Sequence, residues 1–211
     1  MVKDFPDNMP QEESPEDQVD ARADFILGRL GFSWEDLRGK KILDIGAGSA
    51  EFGAAARKKG IEVVSLDRKL IDDEGVAPYQ KEGYVQGSGD HLPFADESFD
   101  IVVSHASIPL HAAFDRKDVS RFIEEIRRVL KKGGECRFGP VGVGGAFFPV
   151  GDPEERASGV SNASWEEDTV DERVRKTSLK TTALLRELVP DLKNSTDDLL
   201  AQTNNFYSFV K

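Results

Sequence analysis

The apolar residues of this chain fall into short uninterrupted runs separated by segments with a helical period. Two of these runs, KILDIG and IEVVSL, lack polar alternation and are therefore typical of parallel strands buried on both faces. Between them lies the alanine-rich segment AEFGAAARKKG, whose end at Gly60 is typical of a helix C-terminus. Further strands are predicted at YVQGS, FDIVVSHA and GECRFGPV, and a last strand at NFYSFVK near the C-terminus.

Helical periodicity marks the segments around these strands. The apolar residues of DVSRFIEEIRRVLKKGG recur on one helical face, and SLKTTALLRELV has a similar pattern. Upstream, the spacing of Phe25, Ile26, Leu30 and Phe32 predicts another helix with one apolar face. Because strands and helices alternate, we predict an α/β fold with a doubly wound, mostly parallel sheet and an antiparallel C-terminal strand. Such a sheet binds ligands at the carboxyl ends of its strands.

Two segments fall outside this alternation. Residues 1–20 are acidic, contain three prolines and have no apolar period, so we predict a disordered tail followed by a single domain over residues 21–211. Residues 142–177 are rich in glycine and charge. The glycines and phenylalanines of GVGGAFFPVG suit the hinges and apolar tip of a lid over the ligand site, while a passive surface insertion is the alternative.

Composition narrows the possible partners. The formal net charge of −11 argues against nucleic acid as a partner, because binding to phosphates depends on lysine and arginine.

A lone cysteine, Cys136, forms no intramolecular disulfide, and we expect it to be buried and inert. The first residues lack the apolar stretch of a signal peptide, and no run approaches the roughly 18 apolar residues of a membrane span. We therefore expect a cytoplasmic protein, and its oligomeric state stays open.

A glycine turn follows the first predicted strand, in KILDIGAGSAEFG. Gly46 and Gly48 lack Cβ atoms, so the backbone can turn sharply and a ligand can approach it, although a tight turn alone would also explain them. A dinucleotide fingerprint requires a third glycine where this chain has Glu51, whose carboxylate would lie beside a pyrophosphate. This disfavours NAD and FAD. Asp44, at the end of the strand, suits a ligand with a cationic amine instead.

A second acidic residue closes the next predicted strand. Asp67 lies 21 residues beyond Gly46 (67 − 46), close to the roughly 20-residue spacing at which an acid takes ribose hydroxyls. Capping of the following turn is the alternative role of Asp67. A ligand with a ribose, a cationic amine and no pyrophosphate satisfies these conditions, and S-adenosylmethionine is such a ligand.

The order of four motifs resembles that of class I S-adenosylmethionine-dependent methyltransferases. The motifs are LDIGAGSAEFG, VVSLD, GSGDHLPFADESFDIVVSH and FIEEIRRVLKKGGECRF, and the third is similar to the G-D-A-x-x-L-P-F signature of a small-molecule branch. The resemblance covers roughly residues 41–140. It implies that the glycine turn faces the methionine part of the cofactor and that the loop after the third strand holds adenine. The cofactor-binding residues so expected are Asp44, Gly46, Ala47, Gly48, Asp67, Arg68, Ser88, Gly89, Asp90 and Ser104.

The adenine loop departs from the family pattern at one position. Ser88 stands where the family usually has an aspartate that takes the adenine amino group, while Gly89 offers the usual backbone amide. Either Asp90 replaces the missing carboxylate or Ser88 accepts the bond itself. The sequence leaves both alternatives open.

Methyl transfer depends mainly on positioning, which can supply roughly 7–11 kcal/mol of the barrier. A base is needed only for a protonated acceptor, and His105 and His111 follow the fourth strand where the acceptor is expected. No metal-binding or nucleophilic triad motif accompanies them. We predict methyl transfer to a small-molecule acceptor. A protein acceptor, or a catalytically silent nucleoside-binding protein of the same fold, is the alternative.

Overall fold

The computed structural model describes residues 14–69, 77–107, 116–139, 183–194 and 206–211. The predicted lid at residues 142–177 and His111 lie outside these ranges. Residues 183–188 are helical, inside the segment predicted as the last helix. The other helices and strands of the described ranges are α1 (Pro15–Arg29), a 3-10 turn (Glu35–Leu37), β1 (Lys41–Ile45), α2 (Glu51–Lys58), β2 (Glu62–Asp67), α3 (Pro78–Lys81), β3 (Tyr84–Gln86), β4 (Phe99–His105), α4 (Arg116–Val129), β5 (Leu130–Gly139), β6 (Lys193–Asn194) and β7 (Tyr207–Val210).

The strands of the described residues form one seven-stranded sheet in the order β3-β2-β1-β4-β5-β7-β6. Strands β3, β2, β1, β4 and β5 are parallel, whereas β7 runs antiparallel to both β5 and β6. The register places Asp44 of β1 between Ser65 of β2 and Val103 of β4. The predicted doubly wound sheet with an antiparallel C-terminal strand is therefore confirmed, and the carboxyl ends of β2, β1 and β4 lie side by side.

Apolar side chains cover both faces of this sheet. Ile42 of β1 packs with α1 and α2 on one face, while Leu43 and Ile45 pack with α4 on the other. Burial on both faces explains why the strand sequences show no polar alternation. Cys136 lies fully buried within β5, and burial raises the pKa of its thiol far above the usual range, as expected for an inert residue. None of the helices in the described part of the chain has the length and apolar character needed to cross a membrane.

The first helix begins earlier than the sequence pattern indicated. The side chain of Ser14 accepts a hydrogen bond from the Asp17 amide, and Asp17 bonds back to the Ser14 amide, so the two form a capping box with Pro15 in the first turn. The boundary predicted after residue 20 is thus wrong for residues 14–20, because a proline that suggested disorder occupies a favourable helix position. The remainder of the predicted tail, residues 1–13, lies outside the described ranges.

The apolar face of α1 also differs from the prediction. Its buried residues are Val19, Ala23, Ile26 and Leu27, which follow a helical spacing. Phe25, expected on this face, is 47% exposed. The ring of Phe25 therefore faces away from the core.

The boundary between α4 and β5 lies earlier than predicted. The pattern extended the helix through Gly134, but α4 ends at Val129 and β5 starts at the next residue. The reason is pairing: the carbonyl of Val129 accepts from the Ser98 amide, and Leu130 lies opposite Phe99 of β4. The short elements α3 and β6 were not predicted.

Candidate active site

The glycine turn joins β1 to α2 and is tied to the neighbouring strand. Gly46 and Gly48 have φ angles of +77° and +54°, which favour glycine. The amides of Gly46 and Ala47 both donate to the carbonyl of Leu66 in β2, at 2.7 and 3.1 Å. Because these amides are engaged within the chain, the turn does not present them to a phosphate, which agrees with the sequence argument that disfavours NAD and FAD.

The two glycines serve the turn differently. A Cβ atom on Gly46 would collide with the side chain of Ser107, whereas a Cβ on Gly48 would meet no atom within 4 Å. Ser107 lies two residues beyond β4. Ser107 was not predicted from the sequence. The only signal for it is that it is a small polar residue just after a predicted strand.

Asp44 is a buried acid at this turn, with 5% of its surface exposed. No hydrogen bond identified between described residues ends on its carboxylate. Burial raises the pKa of Asp44 to about 7, with further repulsion from Glu51 and Asp67 and partial relief from Arg57. Three carboxylates therefore surround the start of α2, and a cationic ligand group would relieve their repulsion.

Asp67 connects the end of β2 to the glycine turn. Its Oδ2 accepts from the Gly48 amide at 3.1 Å, and its Oδ1 accepts from the Lys69 amide at 3.0 Å. The bond from Lys69 matches the alternative role of capping the following turn. Each carboxylate oxygen accepts more than one hydrogen bond, so the structure is compatible with both roles. Arg68 is exposed, and its carbonyl accepts from the Gln86 side chain at 3.0 Å.

The loop after β3 brings the expected adenine residues together. The Ser88 hydroxyl donates to the carboxylate of Asp90, which lies 4.0 Å from the Arg121 guanidinium. Gly89 is buried, and a Cβ there would press against the ring of Phe122. Ser88 and Asp90 thus form one polar unit, so the two alternatives for adenine recognition concern neighbouring groups.

The end of β4 lies beside the glycine turn and carries one of the two histidines proposed from the sequence. His105 is the last residue of β4, and its ring lies 6.0 Å from that of Phe25, edge to face. Ser104 is buried just before it. The chain then turns sharply at Ala106, whose φ is +51° and whose amide donates to Gly139 at 2.6 Å.

These residues fit a cofactor with a cationic group and a ribose. The acid cluster of Asp44, Glu51 and Asp67 supplies negative charge, and the turn at Gly48 leaves open space for a ligand. A pyrophosphate would meet carboxylates and engaged amides at the same place. The residues present therefore fit S-adenosylmethionine better than a dinucleotide.

Comparison with known proteins shows similarity to methyltransferases. Residues 43–138 match a family described as a methyltransferase domain. The chain is 33% identical over 106 residues to the biotin biosynthesis bifunctional protein BioHC of Cellvibrio japonicus, covering 49% of this chain and 20% of that protein. It is 27% identical over 184 residues to a phthiotriol/phenolphthiotriol dimycocerosates methyltransferase of Mycobacterium tuberculosis, covering 83% of this chain and 58% of that protein. The chain thus spans only part of each of these relatives.

Among solved structures, the fold is similar to that of phosphoethanolamine N-methyltransferase 2 of Haemonchus contortus, in complex with phosphomonomethylethanolamine and S-adenosylhomocysteine. The TM-score is 0.53 at 18% identity, over 90% of this chain and 52% of that one. This likeness concerns the fold alone. The family match runs from β1 to β5 and contains the glycine turn, Asp67 and the Ser88 loop. This segment is therefore similar to a methyltransferase domain, in agreement with the domain type expected from the sequence motifs, and the similarity supports S-adenosylmethionine as the cofactor.

Proposed function

We propose that this chain transfers a methyl group from S-adenosylmethionine to a small-molecule acceptor. The observation that carries the proposal is the acid cluster around the glycine turn, with Asp44 buried at its centre. This cluster lies at the carboxyl edge of a doubly wound sheet, where such folds bind their ligands.

In this proposal, the residues at the carboxyl edge of the sheet contact different parts of the cofactor. The carboxylate of Asp44 attracts the cationic amine of the cofactor, and that of Asp67 accepts from the ribose hydroxyls while it holds the Gly48 amide. The polar unit of Ser88 and Asp90 recognises the adenine amino group. Bound S-adenosylmethionine supplies an activated methyl group on a sulfonium, which needs no side-chain nucleophile.

The chain's own contribution to the reaction is mainly orientation. Parallel strands fix the ends of β1, β2 and β4 next to each other, so an acceptor at β4 is held close to a cofactor at the glycine turn. Such positioning can supply roughly 7–11 kcal/mol of the barrier. His105 lies at the end of β4, where an imidazole could take a proton from a protonated acceptor. We keep His111 as a second candidate base from the sequence alone.

The names of the relatives favour a small-molecule acceptor over a protein acceptor. Their names refer to biotin biosynthesis and to phthiotriol compounds, neither of which is a protein. The similarity of the Ser88–Phe94 stretch to the small-molecule signature supports the same choice.

Binding and transfer experiments on the full chain test the proposal. Calorimetry is expected to detect binding of S-adenosylmethionine and none of NAD. Asp67→Ala should weaken S-adenosylmethionine binding by roughly 10- to 100-fold, as expected for the loss of a charge-assisted hydrogen bond worth about 1.5–3 kcal/mol. Glu124→Gln, an equal change of charge at an exposed position of α4, serves as the matched control and should bind normally.

The same protein, incubated with labelled S-adenosylmethionine and a metabolite extract, should yield a labelled product. Unchanged affinity in a folded Asp67→Ala variant would overturn the assignment of Asp67. Cofactor binding without any labelled product would favour the silent alternative.

A further inference from the structure

An aromatic ring with two arginines lies on the surface of α1. Arg22, Phe25 and Arg29 are spaced by three and four residues, which places them on one helical face. The guanidinium carbons of Arg22 and Arg29 lie 5.2 and 5.3 Å from the centre of the Phe25 ring. The ring itself is 47% exposed, so this face offers an apolar surface flanked by two positive charges.

The acidic residues of α1 are engaged elsewhere. Glu16 lies 3.3 Å from the Lys58 ammonium, and Asp24 accepts from the indole of Trp34 at 2.6 Å. Among the ion pairs identified between described residues, none includes either arginine. Within the described part of the chain, two like charges therefore lie near one ring without an identified counterion, although the net charge of the whole chain is −11.

Arg29 is the less favourably placed of the two arginines. Its Nε atom is buried and has no hydrogen-bond partner among the described residues. Partial burial, and then the charge of Arg22, lower the pKa of Arg29 from its usual value. An anion bound by both guanidinium groups would reduce the repulsion between them.

The location of this face relates it to the candidate active site. The Phe25 ring contacts His105, the last residue of β4. Beyond Arg29, the carbonyl of Gly31 accepts from the Arg137 guanidinium at 2.6 Å, which ties this end of α1 to β5. The Phe25 ring, with the two arginines beside it, therefore lies next to the end of β4, where the proposed function places the acceptor.

We infer that Arg22, Phe25 and Arg29 select an acceptor that carries a carboxylate or phosphate next to an apolar or aromatic part. This inference rests on the proposed function, because it assigns the substrate class of the same site. The edge then has two halves of opposite charge. The carboxylates at the ends of β1 and β2 suit a cationic cofactor, and the arginines of α1 suit an anionic acceptor.

Three matched probes test this inference on the full chain in the presence of excess S-adenosylhomocysteine. They are 2-naphthoate, 2-naphthyl phosphate and the neutral 2-naphthamide, with affinities measured by calorimetry. We expect at least one anion to bind about tenfold more tightly than the amide, the order of magnitude of one charge-assisted contact at a partly exposed site. The stronger of the two anions distinguishes carboxylate from phosphate recognition.

Substitutions test which residues cause the preference for the anionic probes over the amide. Arg22→Gln and Arg29→Gln should each reduce the anion-to-amide ratio to about twofold or less. Phe25→Ala should weaken all three probes and leave the ratio unchanged. Arg38→Gln removes a charge from an exposed arginine outside this face and should keep the wild-type ratio, provided that all variants show wild-type melting temperatures.

The outcomes separate this inference from the proposed function. If S-adenosylhomocysteine fails to bind, the proposed function fails. If it binds but the anions show no preference over the amide, only the present inference is overturned. It is also overturned if the preference survives both arginine substitutions, or if Arg38→Gln abolishes it, since the effect would then reflect general charge.

Discussion

Replacing Asp44 by asparagine should stabilise the protein without ligand at neutral and higher pH. The pKa of Asp44 is raised from 3.8 to about 7 by burial and by its acidic neighbours. Folding therefore favours the protonated form of this carboxyl. The contribution of the protonated carboxyl to the free energy of unfolding is fully present below about pH 4. It is lost as the pH rises through 7, because the folded protein must then bury a charged carboxylate.

The size of this effect follows from the pKa shift. A rise from 3.8 to about 7 corresponds to about 4 kcal/mol between the two protonation states, at 1.36 kcal/mol per pKa unit. Asparagine removes the charge and has nearly the same shape as aspartate. Its buried amide lowers the free energy of unfolding by about 1–2 kcal/mol, however, if it lacks good hydrogen-bond partners. We expect Asp44→Asn to raise the free energy of unfolding by about 2–3 kcal/mol at pH 8, and by about 1 kcal/mol or less at pH 5.

Urea denaturation at pH 5, 6, 7 and 8 measures the difference. The gain of Asp44→Asn over the wild type should grow with pH and level off above 7. Glu124→Gln changes the charge equally at an exposed position of α4 and should show little dependence on pH. A gain that is constant from pH 5 to pH 8, or larger at pH 5, would refute the reasoning.

The same substitution should impair the proposed function. If the carboxylate of Asp44 binds the cationic amine of S-adenosylmethionine, Asp44→Asn should weaken the cofactor by roughly 10- to 100-fold while it stabilises the fold. For the same reason, the affinity of the wild type should fall as the pH is lowered through about 7, because the carboxyl becomes protonated. A stabilised variant with unchanged cofactor affinity would leave Asp44 without a role in binding.

Three further substitutions test local features. Gly46→Ala should destabilise the protein by about 1–3 kcal/mol in urea denaturation, because φ is +77° and the new Cβ would collide with Ser107; the double variant with Ser107→Gly should recover part of this loss. Ser88→Asp should weaken S-adenosylmethionine binding in calorimetry, because the new carboxylate would lie beside that of Asp90; tighter binding would show that Asp90 does not replace the missing acid. Glu97→Gly should stabilise the protein by about 0.5–1 kcal/mol in the same denaturation assay, since Glu97 has a φ of +55° in an exposed turn, and a loss of stability would contradict this.

The fold could be predicted because central parallel strands such as β1 are buried on both faces. A short continuous apolar run such as KILDIG is typical of a strand covered on both sides, and the glycine turn after it marks where the strand ends. Boundaries were predicted less well where tertiary contacts decide them. Val129 ends α4 because its carbonyl pairs with Ser98, which is 31 residues away (129 − 98) and invisible to a local pattern.

The candidate site was predictable where backbone conformation or spacing constrains the residue. Gly46 requires a positive φ, and the distance from Gly46 to Asp67 follows from the length of one strand–helix–strand unit. Ser107 was missed because its approach to Gly46 depends on how β4 lies beside β1. Phe25 was assigned to the core because it is apolar, although its position on α1 places it on another face than Ile26 and Leu27.

Net charge illustrates the limit of composition as a guide to a ligand. The net charge of −11 describes the chain as a whole, and from it we expect no nucleic acid as a partner. A binding site, however, responds to the charges within several ångströms, since salt screens exposed charges beyond about 8–10 Å. At the carboxyl edge of this sheet, the carboxylates of Glu51 and Asp67 repel that of Asp44, while Arg22 and Arg29 lie beside the ring of Phe25, which contacts His105 at the end of β4. On the two proposals made above, a cation at the first group of charges and an anion at the second would bring a sulfonium donor and an anionic acceptor to the same sheet edge, an arrangement that the total charge of the chain does not reveal.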